Sequence, residues 1–196
     1  MTMTEKNVIV IAGPSGSGKN SVIEALITKC KGCSRLVTAT TRAPRPGEKN
    51  GLDYHFLSEE RFMEALGHGD ILEHRYVKSL GTNYGVYKPD LEGRIALGEI
   101  VLAHLDIVGA RYLKEHYGAT TIFILPDSFE ILEKRVRTRN RAMTDSEIKA
   151  RMEIARTEID THAAEYDYRV VNADGKFDET VKEVIEILKK EGYNLE

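Results

Sequence analysis

One glycine-rich stretch, residues 13–21 with the sequence GPSGSGKNS, constrains the fold of this chain more than any other. It follows an apolar run, VIVIA, and precedes a second apolar segment that begins at Val22. An order of strand, glycine loop and helix lets backbone N–H groups and the positive end of the helix face a phosphate. The stretch therefore predicts a phosphate-binding loop in which Lys19 reaches the outer phosphates of a nucleotide.

The loop follows the pattern G-x-x-x-x-G-K-[ST] up to Lys19 and departs from it at Asn20, where a hydroxyl residue normally ligates Mg²⁺. Ser21 is next, but one step along a helix turns a side chain by about 100°. The amide oxygen of Asn20 is a ligand type that hard cations accept. We expect Mg²⁺ to bind through Asn20. The loop residues predicted to bind ATP are Gly13, Pro14, Ser15, Gly16, Ser17, Gly18, Lys19, Asn20 and Ser21.

Composition narrows the class of protein. A chain of 196 residues that is 41% hydrophobic and 30% charged suits one globular domain and has no run near the roughly 18 apolar residues of a membrane span. No secretory signal opens it, so we expect a cytoplasmic protein. A net charge of −3 argues against general nucleic-acid binding, and nothing implies a protein partner. Cys30 and Cys33 are expected to be reduced, structurally incidental thiols, because no second ligand pair exists for zinc.

Strands and helices alternate along most of the chain, which predicts an α/β fold with a central parallel sheet. Residues 35–86 break the alternation with several short strands and one helix. We interpret them as an inserted α+β subdomain over the carboxyl ends of the main strands, where open parallel sheets bind ligands. The predicted core is residues 1–34 and 87–196 within a single domain. Among the local predictions are a strand over residues 35–38, a cap at Ser58 and a terminal helix over residues 177–190.

A second stretch, residues 40–56 with the sequence TTRAPRPGEKNGLDYHF, is also unusual. Its two prolines restrict the backbone and predict an ordered loop. Arg42 and Arg45 could then present two planar forks of donors to one dianionic phosphate, with phenolic hydroxyls from Tyr54 and Tyr84 nearby. The alternative is that these arginines are solvent-facing charges.

Taken together, the two stretches resemble the phosphate loop and the GMP-binding segment of guanylate kinases. The similarity continues nearly to the end of the chain. It includes ILEH at 71–74, NYG at 83–85, LDIVGA at 105–110, FILP at 123–126, LEKRVRTR at 132–139 and YDYRVVN at 166–172.

The resemblance implies a P-loop NTPase-type parallel sheet flanked by helices, a GMP-binding subdomain over residues 35–86 and a helical lid over residues 137–156. It implies Mg²⁺-dependent, in-line transfer of the γ-phosphoryl group of ATP to GMP or dGMP. The residues implied to hold the GMP phosphate are Arg42, Arg45, Tyr54 and Tyr84. Those implied near the guanine are Thr38, Glu73 and Asp106.

On the donor side the resemblance implies ATP contacts from Arg135, Arg139 and Asn172, and an arginine, Arg151, that moves onto the transferring phosphate. The implied catalytic residues are Lys19, Arg42, Arg139 and Arg151. A carboxylate such as Glu73 suits guanine, because guanine presents N1–H and the 2-amino group as adjacent donors that adenine lacks.

Three further positions differ from the family pattern. Val86 stands where a hydroxyl residue is usual, His104 replaces a strand-end carboxylate, and the segment from Glu73 to Tyr84 is two residues longer. We interpret His104 as a hydrogen-bonded core histidine on a buried strand. Two alternatives stay open: a small-molecule kinase of the same fold that acts on a ribose bisphosphate, and a non-catalytic binding module. Retained guanine readers argue against the first, and a retained ATP site argues against the second.

Overall fold

The computed structural model of the chain describes residues 6–78 and 80–195. In this part of the chain the strands are β1 (Val8–Ala12), β2 (Cys33–Arg35), β3 (Ala39–Thr40), β4 (His55–Phe56), β5 (Ile71–Val77), β6 (Thr82–Tyr87), β7 (Ile100–Ala103), β8 (Thr120–Pro126) and β9 (Tyr168–Asn172). The helices are α1 (Lys19–Lys29), α2 (Glu59–His68), α3 (Lys88–Ala96), α4 (Ile107–Tyr117), α5 (Phe129–Arg139), α6 (Asp145–His162) and α7 (Phe177–Lys190).

The central sheet is parallel and has the strand order β2-β7-β1-β8-β9, with β1 in the middle. Both faces of β1 are covered. Ile9 and Ile11 belong to a core with residues of α1 and α7, whereas Val8 and Val10 belong to a second core with residues of α3 and α4. A continuous apolar strand such as VIVIA is stable only with helices on both faces. The predicted α/β fold with a parallel sheet is confirmed.

The second sheet has the order β4-β3-β6-β5 and a small core of Ala39, Phe62 and Ile71 under α2. Its β5–β6 pairing is antiparallel and carries a bulge between Ile71 and His74. Gly85 lies opposite this bulge, where an added Cβ would be 2.9 Å from the backbone oxygen of Glu73. The bulge therefore needs a residue without a side chain on the facing strand.

The chain crosses between the two sheets at residues 36–38, and this corrects the strand predicted over residues 35–38. Arg35 ends β2 in the parallel sheet, and Ala39 begins β3 in the second one. Between them, the N–H of Leu36 donates to the carbonyl of Leu102 at 3.0 Å, and the N–H of Val37 donates to Asp90 Oδ2 at 2.9 Å. A backbone that stays extended while its hydrogen-bond partners change has the sequence pattern of one continuous strand.

Two predicted helix limits are confirmed. Ser58 Oγ accepts the Arg61 N–H at the start of α2, and α7 covers residues 177–190 as predicted. Val86, by contrast, is fully buried in the core beside α3, so it does not face a ligand. No described helix has the length and apolar character needed to cross a membrane.

The two cysteines of the chain, Cys30 and Cys33, lie at the end of α1 and the start of β2. Both are free, Cys30 is buried, and burial raises the pKa of each thiol. Within the described residues no group of three or more His, Cys, Asp or Glu side chains is placed so that it could hold a metal ion.

Candidate active site

The phosphate loop connects β1 to α1 and is held from behind by the last strand. The buried side chain of Asn172, at the end of β9, donates from Nδ2 to the carbonyl of Ser17 at 2.7 Å. Gly18 has φ = +93°, and a Cβ there would lie 2.3 Å from that same Nδ2 atom. Glycine at this position is thus required by both backbone conformation and close approach. Asn172 acts here as a support of the loop, because its amide is already engaged.

A donor-side cavity of about 400 Å³ opens beside the loop and brings together eight of the residues predicted to bind ATP. They are Gly16, Gly18, Lys19, Asn20, Ser21, Arg135, Arg139 and Asn172. Arg135 donates to the carbonyl of Asn172 at 3.2 Å and forms an ion pair with Asp174 at 3.3 Å. The far wall of this cavity was not predicted from the sequence, and it is formed by Ala173, Asp174, Gly175 and Phe177. These residues directly follow the carboxyl end of β9, and that position could have identified them as ligand-binding candidates.

One observation supports the expected role of Asn20 as a metal-binding residue. Its Oδ1 atom is buried and, within the described part of the chain, accepts no hydrogen bond. A buried amide oxygen without a partner is costly unless something else satisfies it. Mg²⁺, or a water molecule in its shell, would supply that partner.

Lys19 lies in a low-dielectric environment between the donor-side cavity and the cleft beyond it. Its pKa is lowered to about 8, chiefly by burial and to a smaller extent by the positive charge of Arg139, while the carboxylate of Glu158 acts in the opposite direction. Its Nζ donates to the carbonyl of Pro14 at 3.2 Å. Glu158, on α6, is a functional candidate that sequence reasoning missed. A long helix with many charges gives no signal of which one faces the loop.

A central cleft of about 910 Å³ continues from the loop toward the second sheet. Gly13, Ser15 and Lys19 line one side, and Glu73 and Asp106 line the other. From α6, Arg151 donates to Ser15 Oγ at 3.2 Å, which joins the predicted lid to the loop.

His104 corrects an expectation. It does not lie in a buried strand, because β7 ends at Ala103 and the His104 side chain is exposed toward the central cleft. The walls of the cleft remove water from around the ring, and the positive charges of Lys19 and Arg35 also disfavour its protonation. Together these effects lower the pKa of His104 to about 4. The imidazole is therefore neutral near pH 7.

An acceptor-side cavity of about 220 Å³ adjoins the cleft and gathers five of the seven residues predicted to bind GMP. They are Thr38, Tyr54, Glu73, Tyr84 and Asp106, and Arg75 joins them. Burial and the nearby negative charge of Asp106 raise the pKa of Glu73 to about 7, against a lowering by Arg75. This side chain lies beside the first turn of α4, where a Cβ on Gly109 would be 3.1 Å from Glu73 Oε2.

Both oxygens of Asp106 already have partners. Oδ1 accepts the N–H groups of Val108 and Gly109 and so caps α4, while Oδ2 accepts Arg75 Nη1 at 3.1 Å. The carboxylate is therefore less available to a ligand than the sequence suggested.

Arg42 and Arg45 lie at the rim beside Tyr54. The Arg42 guanidinium is 5.5 Å from the centre of the Tyr54 ring and forms an ion pair with Glu48 at 2.9 Å. Arg45 is exposed, and its backbone N–H donates to the other oxygen of Glu48 at 2.7 Å. Glu48 thus holds together the loop that carries both arginines, a role that the sequence did not reveal.

Comparison with known proteins agrees with this geometry. A family model described as guanylate kinase matches residues 5–191. A guanylate kinase from Histophilus somni is 41% identical over 193 residues, covering 96% of this chain and 90% of the relative. One from Methylobacillus flagellatus is 37% identical over 186 residues, covering 94% and 89%. The crystal structure of the guanylate kinase from Anaplasma phagocytophilum has a TM-score of 0.70 and 32% identity, covering 97% of this chain and 88% of that one.

Proposed function

The chain belongs to the guanylate kinase family, and we propose that the cleft between its phosphate loop and β5 is where it transfers the γ-phosphoryl group of ATP to GMP. One observation carries the proposal: the donor-side cavity, the central cleft and the acceptor-side cavity adjoin one another. Lys19 lines the first two, and Glu73, His104 and Asp106 line the last two. A phosphoryl group can therefore pass directly between the two sites.

On the donor side, the loop amides and the N-terminus of α1 would hold the phosphates of ATP. Arg135 and Arg139 line the same cavity and would neutralise charge there. Lys19 would move from the carbonyl of Pro14 to the outer phosphates. Binding a polyanion favours its charged form, so the ligand restores the proton affinity that burial removes.

On the acceptor side, the hydroxyls of Tyr54 and Tyr84 and the rim guanidiniums of Arg42 and Arg45 would hold the GMP phosphate. The Glu73 carboxylate would accept hydrogen bonds from N1–H and the 2-amino group of guanine. Burial of this carboxylate makes the contact selective. A base that does not present two adjacent donors leaves the half-buried charge without hydrogen-bond partners, and this cost disfavours the wrong substrate.

The transfer step needs little covalent chemistry from the protein. The site would position the two nucleotides for transfer. Lys19, Arg139 and Arg151 would stabilise the negative charge of the transferring group. Mg²⁺, when bound with ATP, supplies additional charge neutralisation on the phosphates, and Asn20 Oδ1 is the residue atom that would hold it.

A coupled assay of ADP release tests the proposal with GMP, dGMP, AMP and ribose bisphosphate as acceptors. We expect turnover with GMP and a loss of about 10²-fold or more in Lys19→Ala, the size typical of removing a positioned charge from a transition state. Turnover with ribose bisphosphate alone would contradict the guanine assignment. Binding of GMP with no ADP release would indicate a non-catalytic module.

A further inference from the structure

We propose that Arg75 is a specificity-determining residue that donates hydrogen bonds to the O6 and N7 atoms of the guanine base. This inference rests on the proposed function and extends it to a residue that the sequence comparison with the family did not single out. Arg75 lies on β5, two residues after Glu73, and lines both the acceptor-side cavity and the central cleft.

The first argument is chemical complementarity. The edge of guanine has two donors, N1–H and the 2-amino group, followed by two acceptors, O6 and N7. Glu73 can meet the donors but not the acceptors. Among the described residues that line the acceptor-side cavity, Arg75 is the cation, because the imidazole of His104 is neutral near pH 7. A guanidinium fork is the side chain that matches O6 and N7 together.

The second argument is position. Glu73 lies in the bulge of β5 between Ile71 and His74, and Arg75 follows it two residues later. Both side chains line the same acceptor-side cavity. One base held in that cavity can therefore face both groups. Val86, where a hydroxyl residue is usual in the family, is buried in the core and cannot contribute a donor.

The third argument is preorganisation by Asp106. Arg75 uses one of its five N–H groups, on Nη1, to bind Asp106 Oδ2 at 3.1 Å. The Arg75 side chain is 65% exposed, so without this contact it would sample many rotamers. Asp106, which is itself fixed as the cap of α4, orients the guanidinium and leaves other N–H groups for the base. Asp106 is thus a positioning residue that acts on guanine through Arg75.

Equilibrium binding tests the inference independently of catalysis. Calorimetry would compare GMP with 7-deaza-GMP, which lacks the N7 acceptor, with 6-thio-GMP, whose sulfur replaces O6, and with IMP, which lacks the 2-amino group. The proteins are wild type, Arg75→Ala and Arg75→Lys. Arg61→Ala is the matched control, because Arg61 is an exposed arginine of α2 in the same part of the fold.

In wild type we expect GMP to bind about 10-fold or more tightly than 7-deaza-GMP, since a bidentate arginine contact to guanine discriminates by roughly 5- to 150-fold. Arg75→Ala should weaken GMP binding by a similar factor and remove the preference over 7-deaza-GMP and 6-thio-GMP. The ratio of GMP to IMP affinity, which reports on Glu73, should stay unchanged. Arg75→Lys should keep the charge and show a smaller preference than wild type, because an ammonium group is not a planar fork. Arg61→Ala should match wild type.

Three results would overturn the inference. Wild type could bind GMP and 7-deaza-GMP equally, Arg75→Ala could weaken all four ligands by one common factor, or it could collapse the ratio of GMP to IMP. The second result would make Arg75 a general electrostatic contact, and the third would make it a support for Glu73. Failure of the proposed function is a separate outcome, namely GMP binding without ADP release. A wild-type protein that does not bind GMP would refute both proposals.

Discussion

Glu73 shows how a single residue can join base recognition to pH. Its pKa of about 7 arises from burial first and from the charge of Asp106 second. The proposed contact with N1–H and the 2-amino group needs the ionised carboxylate. Below its pKa the side chain carries a proton and can accept fewer hydrogen bonds, so binding of GMP is expected to weaken as the pH falls.

We predict that the affinity for GMP falls by up to about 10-fold per pH unit below pH 7 and is flat above it. The GMP phosphate titrates near pH 6 as well. Glu73→Gln separates the two effects, because only the pH dependence that comes from the GMP phosphate should remain in that variant. Calorimetric titrations of both proteins from pH 5.5 to 8.5 make the measurement. Identical pH profiles would show that Glu73 does not read the base.

Glu73→Gln is also expected to change the stability of the fold. The melting transition that measures this change also shows whether the variant is folded. The folded-state pKa of Glu73 lies above its ordinary value, so the fold loses stability as the pH rises from about 4.5 to about 7. Glu73→Gln should therefore melt at a higher temperature than wild type at pH 8 and at about the same temperature at pH 4.

At the scale of elements, the phosphate loop depends on contacts that its own sequence does not contain. The loop and α1 come from one end of the chain, whereas Asn172 closes the loop from the end of β9. The predicted metal ligand, Asn20, lies in the first turn of α1, so its environment is also set by this packing.

Gly18→Ala is predicted to destabilise the fold and weaken ATP binding. The added Cβ must occupy a left-handed conformation, which costs about 1–2 kcal/mol, and it must also displace the Asn172 amide. Gly32→Ala is the matched control, because Gly32 has φ = +73° with open space around its Cβ position. Chemical unfolding should give a larger loss for Gly18→Ala than for Gly32→Ala. Equal losses would mean that the Asn172 contact is unimportant.

Asn20→Ser restores the usual hydroxyl ligand at the start of α1. We expect this variant to preserve or raise turnover and to reach half-maximal activity at a lower Mg²⁺ concentration, because a hydroxyl can ligate Mg²⁺ at the position that the family pattern uses. Initial rates over a Mg²⁺ series, with ATP binding measured in parallel, provide the test. Loss of turnover would show that the metal shell of this protein is built differently.

At the scale of the whole molecule, Asp90 joins the two sheets. Its side chain is 10% exposed and accepts the Val37 N–H in the segment that crosses from β2 to β3. It also contacts His55 at 3.4 Å on β4 and forms an ion pair with Arg94 at 2.8 Å on its own helix. The orientation of the second sheet relative to the phosphate loop therefore depends in part on this carboxylate at the start of α3.

Asp90→Ala should lower the free energy of unfolding by about 3 kcal/mol, since it leaves a buried N–H and a partly buried arginine without their partner. We expect GMP binding to weaken more than ATP binding, because the donor-side cavity does not contact Asp90. Glu92→Ala, an exposed change on the same helix, should cost less than about 1 kcal/mol. Equal weakening of both nucleotides would contradict a local role for Asp90.

Much of this architecture follows from local sequence. The phosphate loop depends on glycines at fixed spacing, the parallel sheet on unbroken apolar strands, and the terminal helix on its own periodicity, so each could be predicted from neighbouring residues alone. The proposed GMP-binding residues Thr38, Tyr54, Glu73 and Tyr84 were also predicted, through the resemblance to guanylate kinases, and the fold gathers them around one cavity.

Tertiary structure decided the remaining features, because they depend on side chains that are far apart in the chain. The contact of Arg75 with Asp106 joins residues 31 apart, and that of Asn172 with Ser17 joins residues 155 apart. The exposure of His104 and the position of Glu158 beside Lys19 likewise depend on where a strand ends and how α6 packs. Local sequence sets which elements form and which chemistry is available, whereas packing sets the pKa values and the pairs of charges that direct it.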